Sequence, residues 1–137
     1  MKQLLIYLRF AQLFGHNCHN FIGQKTFMQD HEFFGDFYGM AEGFYDSVIE
    51  RMIGLGEECD PVQVQVMAAQ YLAQAKYPFN DNDTCFKGCL AISKELCQEI
   101  EVLCQGNKYS QGTKQMLGDI ADKLEVQIYK IQQRLKG

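Results

Sequence analysis

Two imidazoles and two carboxylates, His19, His31, Asp46 and Glu50, stand at intervals of 12, 15 and 4 residues. Imidazole nitrogen and carboxylate oxygen together form a ligand set that holds iron while leaving positions open for an oxidant. His16, one turn before His19, and the acids Glu32 and Asp36 near His31 are possible helpers. Taken singly, each of these reads better as a polar tip on a solvated helix face. As a set at these intervals, they point to a metal site.

On an ideal helix each residue advances ~100°, so with His31 at zero, position 35 lies near ~40°, Asp46 near ~60° and Glu50 near ~100°. These three positions therefore share a stripe with His31, and His19 precedes them on a neighbouring helix. The 19 residues between His31 and Glu50 span about 28 Å of helix axis, too far for one subunit to bring both to one ion. A two-fold dimer removes the difficulty. If two such helices cross antiparallel, the histidine end of one meets the Asp46/Glu50 end of the other, and an isologous interface makes two identical sites. The other di-iron design needs Glu-x-x-His on two helices of a single bundle, and that motif is absent from the chain.

The elements that must position these residues are helical. Leu4, Leu5, Leu8, Ala11, Leu13 and Phe14 predict a helix over 3–22, broken at Gly23-Gln24-Lys25. Thr26 followed by Gln29 forms a capping box for a second helix, Phe27 to about Leu55, closed by Gly54 and Gly56. Phe33, Phe34, Phe37, Tyr38, Ala41, Phe44, Tyr45, Val48, Ile49 and Met52 give it a wide apolar stripe. Asp60-Pro61 opens a shorter helix to about Ala75. Tyr77-Pro78 and Asn80–Thr84 form a turn before a helix from about Cys85 to Gln105, and Ser110 caps a last helix over 111–135. The expected architecture is all-α, one domain over 1–137. It is a ferritin-like four-helix bundle with a short extra helix between the second and third long ones.

Composition removes other classes. The net charge is −4 and no basic cluster occurs, so the chain lacks the phosphate-neutralising face of a nucleic-acid binder. Lys130, Arg134 and Lys136 read as a solvated face favoured at a helix C-terminus. No apolar run approaches the roughly 20 residues of a membrane span. Six cysteines without a signal peptide predict a reduced, cytoplasmic setting. Cys85, Cys89, Cys97 and Cys104 fall within a ~120° arc of one helix and read as small buried residues; no Cys-x-x-Cys pair suggests zinc.

The chain resembles the Dps family, the mini-ferritins. The resemblance rests on His19-Asn20 through Phe27, His31-Glu32-Phe33-Phe34, Asp46-Ser47-Val48-Ile49-Glu50-Arg51, Leu55-Gly56, Tyr77-Pro78 and T-K-Q-M-L-G-D-I-A-D-K-L-E-V-Q-I-Y near the end. It implies a dodecameric shell built from two-fold dimers. It also implies ferroxidase sites that oxidise Fe(II) with hydrogen peroxide and store ferric mineral, protecting against oxidative damage. His19 and His31 would come from one subunit, Asp46 and Glu50 from its partner. Two departures stand out: the acid that the family places four residues after the second histidine is Gly35, and the tryptophan after the first is Asn20. With Gly35 in that position, the alternative is a Dps-like shell or interaction protein with weakened or lost ferroxidase activity. DNA-condensing members use a basic flexible terminus, and with helices expected almost to both ends, DNA binding is not expected.

Overall fold

The computed structural model describes residues 1–76 and 78–137. Five helices follow one another: α1 (Lys2–Phe21), α2 (Phe27–Gly54), α3 (Pro61–Ala75), α4 (Asn82–Cys104) and α5 (Gln111–Lys136). No strand occurs among the described residues, so the all-α expectation holds. No helix is long and apolar enough to cross a membrane, again among the described residues.

Helix α1 is the hub, packing on α2, α3 and α4, while α5 lies mainly on α4 and touches α2 lightly. Its buried residues Leu4, Leu5, Leu8, Ala11, Phe14, Gly15 and Cys18 recur at three and four, the spacing of one helix face. The facing stripe of α2 is Phe34, Phe37, Ala41, Phe44, Tyr45, Val48 and Met52. Phe33, Tyr38 and Ile49, expected in that stripe, sit at its half-buried edges.

Two glycines let α1 approach its neighbours. A Cβ on Gly88 of α4 would lie 2.3 Å from Phe14 Cζ, and one on Gly15 would lie 2.7 Å from Phe37 Cδ1. Both helix pairs close because a hydrogen replaces a side chain where an aromatic ring must fit.

The helix starts follow cap chemistry. The Asp60 carboxylate accepts from the amides of Val62 and Gln63, and Ser110 Oγ accepts from Thr113 N at 3.3 Å. Helix α4 begins three residues earlier than its apolar pattern implies, because Asp81 is its N-cap and accepts from Thr84 N at 3.0 Å. Of the Tyr77-Pro78 turn, Tyr77 lies outside the described residues.

Two expectations are corrected. Thr26 makes no capping hydrogen bond from its side chain; its hydroxyl donates to Asp30 Oδ2 at 2.6 Å. Arg134 is not a freely solvated cation. It grips Asp30, with Nε donating to Oδ1 at 3.1 Å and Nη2 to Oδ2 at 3.0 Å, while Nη1 reaches Asp83. Asp30 is only 2% exposed, and a buried carboxylate must find donors. That requirement takes Thr26 from its cap and Arg134 from solvent.

All six cysteines are free. Cys18 of α1 lies in hydrogen-bonding reach of Cys85 and Cys89 of α4, and burial pushes its thiol up. Its hydrogen bond and burial raise Cys85 as well. Cys97 and Cys104 are half-buried rather than enclosed.

Candidate metal centre

His19 lies in the last turn of α1 and His31 in the second turn of α2, joined by a short link over 22–26. Ile22 is buried and anchors that link. Asn82, at the start of α4, holds it from below: Gly23 N donates to Asn82 Oδ1 at 3.1 Å, and Asn82 Nδ2 donates to Gly23 O at 2.7 Å. The same Nδ2 donates to Asp30 Oδ2 at 2.8 Å. The turn between the two histidines is thus tied to the residue next to His31, and through Arg134 to the end of α5.

This frame sets the two imidazoles face to face. Their ring centroids are 3.7 Å apart with 21° between planes. His19 Nδ1–H donates to His31 O, and His31 Nδ1–H donates to His19 O, each at 2.8 Å. A carbonyl can only accept, so each neutral ring carries its proton on Nδ1 and its lone pair on Nε2. Histidines that bind metals characteristically donate their other nitrogen to a carbonyl or carboxylate, which fixes tautomer and ring direction. Here that arrangement is reciprocal.

The pair sits inside a longer row of rings. Phe27 stacks on the far face of the pair against His31 at 4.8 Å. Tyr38 meets His19 edge-on at 5.4 Å and stacks on His16 at 4.3 Å. His16 is exposed, its ring 6.4 Å from that of His19. Glu32 and Asp36 are exposed as well.

Position 35 is in contact with the site. A Cβ built on Gly35 would lie 3.2 Å from both Cε1 and Nδ1 of His19. A side chain at 35 would therefore press on the His19 ring, which would have to give by a few tenths of an ångström.

Asp46 and Glu50 are exposed on α2. That helix is continuous from Phe27 to Gly54, so Glu50 stands about 28 Å along the axis from His31. Glu50 borders an open groove of about 380 Å³ with Ser47, Arg51, Gly54 and Met116. Arg51 Nη1 donates to Thr113 Oγ1 at 3.1 Å, tying this end of α2 to α5. Among the described residues, no three His, Cys, Asp or Glu side chains of one chain are placed to hold a metal ion. One chain brings His19 and His31 together and leaves Asp46 and Glu50 apart from them.

Phe27, Asp30, Tyr38, Asn82 and Arg134 surround or support the histidines and were not candidates on sequence grounds. Only Asp30 carried a local signal, four residues after Thr26. Compared with protein-family models and with curated protein sequences, the chain matches none.

Proposed function

We propose that the protein is a Dps-type mini-ferritin, a ferritin-like four-helix bundle with α3 as the extra helix. In this reading it binds Fe(II) at two-fold interfaces and oxidises it with hydrogen peroxide. The ferric product is stored within a hollow shell of twelve subunits. The observation that carries the reading is the reciprocal His19–His31 pair. Two imidazoles that donate Nδ1–H to carbonyls keep their Nε2 lone pairs free for a metal.

The register of α2 supports the two-fold arrangement. An axis between Met40 and Ala41 that sets His31 against the partner's Glu50 also sets Gly35 against the partner's Asp46. Gly39 and Gly43 flank that centre, both exposed, and an added Cβ on either meets nothing within 4 Å. At ~80° and ~120° from His31 they lie on the same stripe. Small residues at the crossing point leave room for a second helix to come close.

In this arrangement the imidazoles of one protomer and the carboxylates of the other share the iron substrate. Imidazole suits Fe(II), and the carboxylates favour the more highly charged Fe(III) as electrons leave. Two Fe(II) each give up one electron, the peroxide O–O bond breaks, and two protons are taken up as two waters form. The products are Fe(III) and water, so the step releases no hydroxyl radical.

Gly35 favours a second reading, a Dps-like shell or interaction protein with weakened or lost ferroxidase chemistry. Anaerobic Fe(II) titration followed by peroxide separates the two. The parent should oxidise iron at least tenfold faster than His31→Ala or Glu50→Ala. Equal rates would leave only the shell.

A further inference from the structure

Away from the histidines, α1 and α4 leave a cavity of about 200 Å³ between them. One wall is aromatic. Tyr7 and Phe10, three residues apart on α1, are half-buried, and Tyr71 of α3 packs behind them at 5.4 and 5.9 Å between ring centroids. The other wall is a single face of α4, with Gly88, Ala91, Ile92 and Glu95 at intervals of three and four. The space exists because that face is small. A Cβ on Gly88 is barred by Phe14 at 2.3 Å, and Ala91, which is exposed, offers only a methyl group.

Size and charge together define an occupant. An apolar cavity of ~150 Å³ takes benzene, so this one has room for a single ring with a short substituent. The faces of aromatic rings attract cations. Glu95 borders the mouth, and no lysine or arginine is among the described residues that line the cavity. The acidic character reaches the wall: burial, followed by Tyr71 and the Glu95 and Glu99 carboxylates, holds the Tyr7 phenol above its ordinary value. We propose that this cavity is a binding site for a single-ring aromatic ammonium, with its ring against Tyr7, Phe10 and Ile92 and its charge toward Glu95. Tyr7 stands 12 residues before His19 on α1, about 18 Å along the axis. The site is thus separate from the iron chemistry and independent of it.

The test is titration of the full chain at neutral pH with benzylamine, which is charged, and with benzyl alcohol, its neutral counterpart, read by NMR on the Ile92 methyl signals. Benzylamine should shift them saturably, with half-saturation at about 1 mM or below. Benzyl alcohol should bind about threefold more weakly. Glu95→Gln should weaken benzylamine about threefold and leave benzyl alcohol unchanged. Ala91→Leu puts a longer side chain into the cavity and should abolish saturation by both. Ala91 is exposed and leucine lies close to alanine in helix propensity, so that variant keeps its fold; circular dichroism checks this. His31→Ala should bind benzylamine as the parent does. No saturable shift in the parent, whether because nothing binds or because a neighbouring copy covers the cavity, overturns the proposal. So do equal affinities for the two ligands, benzylamine binding indifferent to Ala91→Leu, or binding lost in His31→Ala.

Discussion

His19 and His31 each donate Nδ1–H to the other's main-chain carbonyl, both at 2.8 Å, with their rings stacked between. The exchange closes α1 onto α2 and commits the two side chains to one tautomer. The structural clasp and the proposed ligand pair are thus the same two side chains, the clasp using Nδ1 and leaving Nε2. Replacing either ring removes a hydrogen bond and a stacking contact together.

His31→Ala should therefore cost stability as well as metal binding. Losing one partly exposed hydrogen bond and the ring contacts to His19 and Phe27 amounts to about 1–3 kcal/mol. Urea unfolding should show a lower midpoint with an unchanged slope. An unchanged midpoint would mean that the pair contributes nothing to closing the hairpin.

The knot beneath the pair should be more sensitive. Arg134 supplies two of the donors to buried Asp30, and breaking a buried pair from one side leaves a carboxylate without compensation. Arg134 is 27% exposed, so water offsets part of the loss, and Arg134→Ala should cost about 2–4 kcal/mol. Arg134→Lys keeps the charge but not the two-pronged geometry and should recover only part of it. Paired urea melts check both.

The same carboxylate sets an acid limit. Burial alone would raise Asp30, but hydrogen bonds from Arg134, Thr26 and Asn82 and the Arg134 charge outweigh it and hold the group below its ordinary value. A lowered folded pKa stabilises above the unfolded value and is lost as pH falls through the folded one. The advantage of the parent over Asp30→Asn should thus be full above about pH 5 and shrink below about pH 4. Urea midpoints from pH 3 to 7 measure it; a gap independent of pH would contradict the assignment.

Two glycine substitutions should act in opposite directions. Gly118→Ala adds a Cβ on an exposed face of α5 with nothing within 4 Å and should stabilise by about 0.5–1 kcal/mol. Gly88→Ala drives a Cβ to 2.3 Å from Phe14 and should destabilise by about 1–3 kcal/mol despite its better propensity. Thermal melts of the two variants decide it.

The helices were legible because their apolar residues keep a period near 3.6 and glycine or proline breaks each one. Asp60 and Ser110 were legible as caps because cap chemistry is local. The meeting of His19 with His31 follows from their placement on either side of a short turn. The Asp30–Arg134 pair was not legible: its partners lie 104 residues apart, and a cation near a helix C-terminus looks solvated in sequence. The start of α4 was obscured by a run, Asn80 to Thr84, in which nearly every residue can cap a helix. Gly35 read as a lost ligand because a sequence does not display the space that a missing side chain leaves.

The central claim is that one subunit supplies the histidines and its partner the carboxylates. Subunit complementation tests it most directly. Co-assembled in equal amounts, His31→Ala and Glu50→Ala chains form mixed two-fold dimers, each holding one intact site and one doubly damaged site. Random pairing should restore about a quarter of the parent's peroxide-driven Fe(II) oxidation, although each variant alone is inactive. Activity no higher than that of the separate variants would mean that every site carries one of the two mutations, as a site within a single chain requires, and would contradict the interfacial arrangement.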